Sequence, residues 1–193
     1  MNKTIDQPYN NPDDKNIKEN FQFILFGGTG DLAHNKIIPA FYNLAAKDIL
    51  PDKYRIIATG RRYDNKNDYL EALYNSLKDK KEKIDNRIWQ SLSEHIEYFQ
   101  LSFKEENDFE RLRKRLLQIA ESEKISNRIF YLATAPKFFA EIAKKLKEYN
   151  LLNAGFENND SRLVIEKPFG HDFDSAQKLN NTLSGIFSEK NIF

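Results

Sequence analysis

Phe21-Gln22-Phe23-Ile24-Leu25-Phe26 runs directly into Gly27-Gly28-Thr29-Gly30. A short apolar run closed by clustered glycines predicts a buried strand that ends in a tight turn. Beyond it, Leu32, Ile37, Phe41 and Leu44 recur near helical spacing, so a helix opens at Asp31. Pro39 falls inside that helix and should break or kink it, starting a second section. Strand, glycine turn and helix together suit an anion. Glycine allows positive φ and close approach of a phosphate, and the first helical turn presents unbonded N–H groups at the positive end of its dipole. Thr29 can add a hydroxyl donor. The spacing reads G-x-x-G-x-x-A from Gly27 to Ala33, not G-x-G-x-x-G; Ala33 is small enough for close packing of helix on strand. A glycine turn can also end a strand for structural reasons alone, so its surroundings decide.

Downstream the alternation repeats. Arg55–Gly60 is a second strand, Asp68–Lys80 and Asp85–His95 are helices, and Ile96–Leu101 is a third strand. Phe109–Glu121 follows as a helix with Leu112, Leu116, Leu117 and Ala120 on one side. Arg128–Ala133 is a fourth strand, Pro136 marks a helix start that Phe138–Glu148 continues, and Arg162–Glu166 is a fifth strand. It ends in Lys167-Pro168-Phe169-Gly170, and a last helix covers Ser175–Phe187. Short strands alternating with helices predict an α/β fold, a Rossmann-like, doubly wound, mostly parallel sheet with helices on both faces. Met1–Asn20 lacks periodicity and reads as a disordered tail, which leaves residues 21–193 as one dinucleotide-binding domain. The polar stretch Asn150–Ser161 reads as a surface loop within that domain.

The end of the second strand bears on the ligand. An NAD site commonly carries Asp or Glu there, about 20 residues after the glycines, to bind the ribose 2′-hydroxyl. Here the strand ends in Thr59-Gly60-Arg61-Arg62, with Asp64 only later. Guanidiniums beside the adenosine ribose favour a 2′-phosphate, hence NADP over NAD. The plain alternative is two solvated arginines on a loop.

Composition narrows the remaining classes. Thirty Lys+Arg stand against 29 Asp+Glu in 193 residues, a balance that argues against a nucleic-acid binder or a polybasic membrane anchor. With no Cys there is no disulfide, thiolate nucleophile or Cys-ligated zinc, and three scattered histidines (His34, His95, His171) make a metal site unexpected. No apolar run approaches a membrane span. A soluble, cytoplasmic protein is expected, with no nucleic-acid or membrane partner. Arg111-Leu112-Arg113-Lys114-Arg115 is basic, but Glu105, Glu106, Asp108 and Glu110 flank it, and it reads as a solvated helix face.

Three segments carry a family resemblance. Gly27-Gly28-Thr29-Gly30-Asp31-Leu32-Ala33, continued by Lys36 and Pro39, resembles the cofactor loop of glucose-6-phosphate dehydrogenases. Asn127-Arg128-Ile129-Phe130-Tyr131-Leu132-Ala133 with Pro136 is similar to that family's fourth strand and loop, and Ile165-Glu166-Lys167-Pro168-Phe169-Gly170 to its E-K-P-F-G segment. The similarity runs from about Phe21 to Phe193. It implies NADP-dependent oxidation of glucose 6-phosphate at C1 to the 6-phosphogluconolactone, the step that feeds the pentose phosphate pathway, by a homo-oligomeric enzyme. Carried over by position, Gly27, Gly28, Thr29, Gly30, Asp31 and Leu32 surround the pyrophosphate and adjoining ribose, and Arg61, with Arg62 beside it, holds the 2′-phosphate. Lys36 lies on the substrate side of the cleft. Lys167 lies between nicotinamide and sugar, and serves both cofactor and substrate. A cation at a strand's carboxyl end suits an anionic substrate.

The sequence departs from the family pattern in two ways. His34 and Asn35 stand where the family often has basic residues, and His34 reads as a solvated residue at a helix start. The family's next segment, R-I-D-H-Y-L-G-K-E, would begin just after Phe193, and its general-base histidine lies further on. The expectation is therefore a cofactor-binding part with no catalytic residue of its own, inactive alone. Two other enzyme classes share pieces of the pattern. Tyr74-Asn75-Ser76-Leu77-Lys78 has the Tyr-x-x-x-Lys spacing of short-chain dehydrogenases but arrives too early, and reads as a helix-surface pair. Inositol-dehydrogenase-like enzymes share E-K-P but more often show G-x-G-x-x-G. A non-catalytic NADP-sensing module is the remaining alternative.

Overall fold

A computed structural model of the chain describes residues 19–80, 83–153, 161–170 and 172–193. The first 18 residues of the expected tail, residues 154–160 of the expected loop, and His171 lie outside the described residues. Five strands form one sheet: β1 (Phe21–Phe26), β2 (Tyr54–Gly60), β3 (Ile96–Gln100), β4 (Asn127–Leu132) and β5 (Ser161–Ile165). Their order is β3-β2-β1-β4-β5, and every pairing is parallel. Strand order reverses at β1, between β2 and β4, and the carboxyl end of such a switch point is where open α/β sheets hold ligands. Beyond β5, Ile192 makes a parallel bridge to Leu163, and the Phe193 N–H donates to the Leu163 carbonyl at 2.8 Å.

The central strand is apolar on both faces because both faces are covered. Ile24 and Phe26 pack with α4 (Glu106–Glu123), α5 (Phe139–Glu148) and α6 (Phe173–Ser184), through Phe109, Leu116, Ile142 and Leu183. Phe23 and Leu25 face the other way, toward α1 (Ile38–Ala46), α2 (Lys66–Lys78) and α3 (Asn86–His95), through Phe41, Leu73 and Leu92. The helix bounds differ from the sequence reading. α4 starts at Glu106, ahead of Phe109, and the Asp108 carboxylate in its first turn accepts from the Ser102 N–H at 2.8 Å. Asp172 and Ser175 form a reciprocal capping box that starts α6 at Phe173. That helix stops at Ser184, and Phe187 reaches the core from the turn beyond.

The segment after the glycine turn is not a plain α-helix. Ala33–Ile37 forms a π-helical turn, in which the Ile38 N–H donates to the Ala33 carbonyl five residues back. Pro39 then sits in the first turn of α1. It has no N–H to offer the Asn35 carbonyl, its partner in regular α-geometry. Ser76, on α2, and Lys80, just beyond it, satisfy the carbonyls released here: Ser76 Oγ donates to His34 O at 3.3 Å and Lys80 Nζ to Asn35 O at 2.9 Å.

At the amino edge of the sheet two polar side chains on paired positions, Gln22 and Arg128, are fully buried. Gln22 Nε2 donates to the Leu116 and Ile125 carbonyls, and Arg128 Nη1 to those of Leu151 and Asn153. Burial pulls the Arg128 pKa down to about 10. The basic stretch of α4 is ion-paired along its face: Arg111 with Asp108, Arg113 and Lys114 with Glu110, Arg115 with Glu97. Tyr74 and Lys78 are a surface pair on α2, the ammonium 5.1 Å from the ring centre.

Candidate functional site

Gly27 leaves β1 with φ +84°, a conformation that suits glycine, and a Cβ there would lie 2.4 Å from the Ala133 carbonyl oxygen at the end of β4. The turn is tied to β2 by the Gly28 N–H, which donates to Thr59 O at 2.8 Å, and closes on itself where the Gly30 N–H reaches Gly27 O at 2.9 Å. The His34 N–H bonds back to Gly30 O, so the helix is under way by Asp31. Asp31, Leu32 and Ala33 occupy its first turn, whose N–H groups have no acceptor four residues back within the helix. Asp31 is exposed and Leu32 half-buried.

Thr29 packs directly on Gly60, where a Cβ would fall 2.4 Å from the threonine Cγ2. That contact brings the end of β2 against the glycine turn. Gly27, Thr29, Thr59, Gly60 and Arg61 together line a recess of about 140 Å³, closed by Phe103, Thr134 and Phe138. Arg61 and Arg62 are both exposed, and neither guanidinium has a hydrogen bond or ion pair to a described residue. A recess floored by glycine backbone beside a helix start, with the Arg61 guanidinium at its edge, has the character of an anion-binding site.

Four aromatic rings cluster on the α1–α3 side of the sheet. Tyr63, Tyr69 and Tyr98 approach one another at 5.0–5.8 Å between ring centres, and His34 lies 6.3 Å from Tyr63 and 5.9 Å from Tyr69. Tyr69, fully buried, donates its hydroxyl to Gly28 O at 2.8 Å, and burial pushes its pKa far up. The Tyr63 N–H donates to the Tyr98 hydroxyl at 3.3 Å. His34 is therefore not the solvated residue its position at a helix start suggested. It is half-buried, and its Nε2 has no partner among the described residues. Burial, then the nearby Arg62 charge, lowers its pKa, with Asp31 opposing.

A second cavity, of about 420 Å³, opens on the α1 side of the same sheet end. Leu32, Ile37, Phe41, Leu44 and Phe23 make its apolar wall, and Lys36, Tyr131 and Glu166 supply its polar groups. The Tyr131 hydroxyl makes a short hydrogen bond to Glu166 Oε1, and burial, reinforced by that carboxylate, pushes the tyrosine pKa well up. Glu166 directly precedes the exposed Lys167, whose peptide bond to Pro168 is cis. Lys36 is exposed at the cavity rim. The sequence reading named Lys36 and Lys167 but missed Tyr131 and Glu166. An ionisable side chain closing an otherwise apolar strand was the available signal. His95 lies at the opposite end of the sheet, stacked at 4.1 Å on Tyr54, the first residue of β2.

Among the described residues no helix is long and apolar enough to cross a membrane, and no group of three or more His, Asp or Glu could hold a metal ion.

Comparison with known proteins gives a consistent result. The family model described as glucose-6-phosphate dehydrogenase, NAD binding domain, matches residues 24–193. The glucose-6-phosphate 1-dehydrogenase of Schizosaccharomyces pombe is 34% identical over 178 residues, covering 92% of this chain and 35% of that protein. The enzyme of that name from Leuconostoc mesenteroides is 35% identical over 171 residues, covering 88% and 34%. Among solved structures, a glucose-6-phosphate dehydrogenase in complex with its substrate glucose-6-phosphate superposes with TM-score 0.80 at 30% identity, over 91% of this chain and 36% of that one. A glucose-6-phosphate 1-dehydrogenase from Mycobacterium avium gives TM-score 0.75 at 28% identity, over 91% and 35%. The chain spans about a third of the length of these relatives.

Proposed function

The chain belongs to the glucose-6-phosphate dehydrogenase family through its NAD-binding domain, and on that premise we propose that residues 21–193 bind NADP in preference to NAD, for the oxidation of glucose 6-phosphate at C1. The observation that carries the reading is the strand end Gly60-Arg61-Arg62, set against Thr29 and the glycine turn with both guanidiniums unpaired among the described residues. Gly27, Gly28, Thr29, Gly30, Asp31 and Leu32 cradle the pyrophosphate and adjoining ribose, and Arg61, helped by Arg62, takes the 2′-phosphate. The bound nicotinamide supplies a hydride acceptor. Lys167, at the carboxyl end of β5, and Lys36, across the cavity from Glu166, present cations to the sugar phosphate. The reaction so read forms NADPH in the cytoplasm and opens the pentose phosphate pathway.

The test is a calorimetric titration of the 193-residue chain with NADP+ and with NAD+, alongside Arg61→Ala. A charge-assisted hydrogen bond contributes about 1.5–3 kcal/mol, so NADP+ should bind roughly tenfold to a hundredfold tighter. Arg61→Ala should remove most of that difference. Equal affinities in the parent chain would overturn the 2′-phosphate assignment.

A further inference from the structure

The arginine segment that this reading relies on has no side-chain anchor of its own among the described residues: Arg61 and Arg62 are exposed and unpaired there. What fixes the segment is the next residue. The Tyr63 ring is caught among three others, 5.5 Å from Tyr69, 5.8 Å from Tyr98 and 6.3 Å from His34, and its N–H is held by the Tyr98 hydroxyl. Tyr69 and Tyr98 come from α2 and β3, on the α1–α3 side of the sheet. His34 alone of the four comes from the π-helical turn that follows the glycines.

Its placement is specific. The imidazole is near-parallel to Tyr63 (22°) and edge-on to Tyr69 (76°), and Ser76 Oγ holds its backbone carbonyl at 3.3 Å. Aromatic pairs in such geometries are favoured beyond their buried area. With Nε2 buried and without a described partner, and Arg62 close by, the ring is suited to packing as a neutral body and not to contacting an anion. It occupies a position where the family resemblance leads one to expect a basic side chain.

We propose that His34 is a positioning residue for cofactor selectivity: its ring, wedged between Tyr63 and Tyr69, holds the Arg61-Arg62-Tyr63 segment in the conformation that receives a ribose 2′-phosphate, without touching the cofactor. The device couples the glycine turn to the arginine segment, because the π-helical turn that follows the glycines carries the side chain that steadies the arginines. The inference rests on the NADP reading above, and its consequence is selective, since NAD+ has no 2′-phosphate and makes no demand on the arginine segment.

The experiment is calorimetric titration of the 193-residue chain with NADP+ and NAD+, comparing the parent with His34→Ala, His34→Phe and Arg61→Ala. Removing the ring in His34→Ala should weaken NADP+ about tenfold while NAD+ stays within about twofold of the parent. His34→Phe, which restores a ring without a titrating nitrogen, should recover NADP+ binding. Should His34→Ala fail to fold, His34→Leu supplies bulk without aromatic stacking and should show the same selective loss. Equal losses for both cofactors, no loss for either, or a His34→Phe variant as weak as His34→Ala would each overturn the proposal. Arg61→Ala separates the two levels. If it abolishes the preference for NADP+ while His34→Ala leaves it intact, only the positioning role falls. If Arg61→Ala leaves the preference unchanged, the 2′-phosphate reading fails and takes this one with it.

Discussion

The hydroxyl of Tyr69, on α2, donates to the carbonyl of Gly28 across 41 positions of sequence, at 2.8 Å and out of contact with solvent. One buried hydrogen bond thus ties a helix on the flank of the sheet to the turn at its switch point. Tyr69→Phe keeps the ring and leaves that carbonyl without its donor. A buried acceptor left unsatisfied costs about 1–3 kcal/mol. We expect a loss of that size in denaturant unfolding, with NADP+ affinity weakened by less than about tenfold. Unchanged stability would show the bond to be dispensable.

Gly27→Ala should be more damaging. A non-glycine residue in such a strained backbone conformation costs about 1–3 kcal/mol, and the new Cβ would also lie 2.4 Å from Ala133 O. Relief requires the ends of β1 and β4 to separate, which displaces the cofactor recess. Calorimetry should show no measurable NADP+ binding, and thermal melting a lowered midpoint. Parent-like affinity would mean the turn tolerates a different path.

Alkaline pH should loosen the sheet edge at Tyr54. Burial raises its pKa from the ordinary 10.0 to about 12, against an opposing effect of Arg55. The fold therefore favours the protonated phenol. Its contribution is complete below pH 10 and is lost as pH climbs through about 12. The full effect is up to about 2 kcal/mol. Melting temperatures measured from pH 9.5 to 12 should fall, and Tyr54→Phe should make the fall shallower.

We propose that neither described histidine is the general base for oxidation at C1. Oxidation at C1 needs a general base within reach of the hydroxyl proton. Of the described histidines, His34 is packed among tyrosines and His95 lies at the amino edge of the sheet. With glucose 6-phosphate and NADP+, absorbance from NADPH should stay at the level of a protein-free blank.

The order of elements was legible because β1 is an apolar run closed by glycines, and because each later strand is short, apolar and separated from the next by a helix-length polar stretch. The positions of Gly27–Gly30, Arg61 and Lys167 at carboxyl strand ends followed from that alternation. The π-helical turn did not, because Leu32, Lys36, Ala40 and Leu44 line the α1-side cavity at the four-residue steps that an ordinary α-helix also gives. His34 was misread because a helix start is normally exposed, and only the tertiary fold brings Tyr63 and Tyr69 around it. The Tyr131–Glu166 pair was equally hidden, since its partners are 35 residues apart and meet only when β4 and β5 align.

The π-helical turn makes chain length at Ala33–Ile37 as constrained as residue identity. An α-helix advances about 100° per residue, given 3.6 residues per turn. The extra residue therefore sets α1 a fraction of a turn out of phase with the helical start at Asp31. Deleting Asn35 would let a regular helix form. Its wheel would then swing Lys36 and the apolar wall of Ile37 and Phe41 away from Glu166, while the glycine turn stayed where it was. Such a deletion would leave a well-formed helix and an intact glycine turn, beside a cavity without its apolar wall.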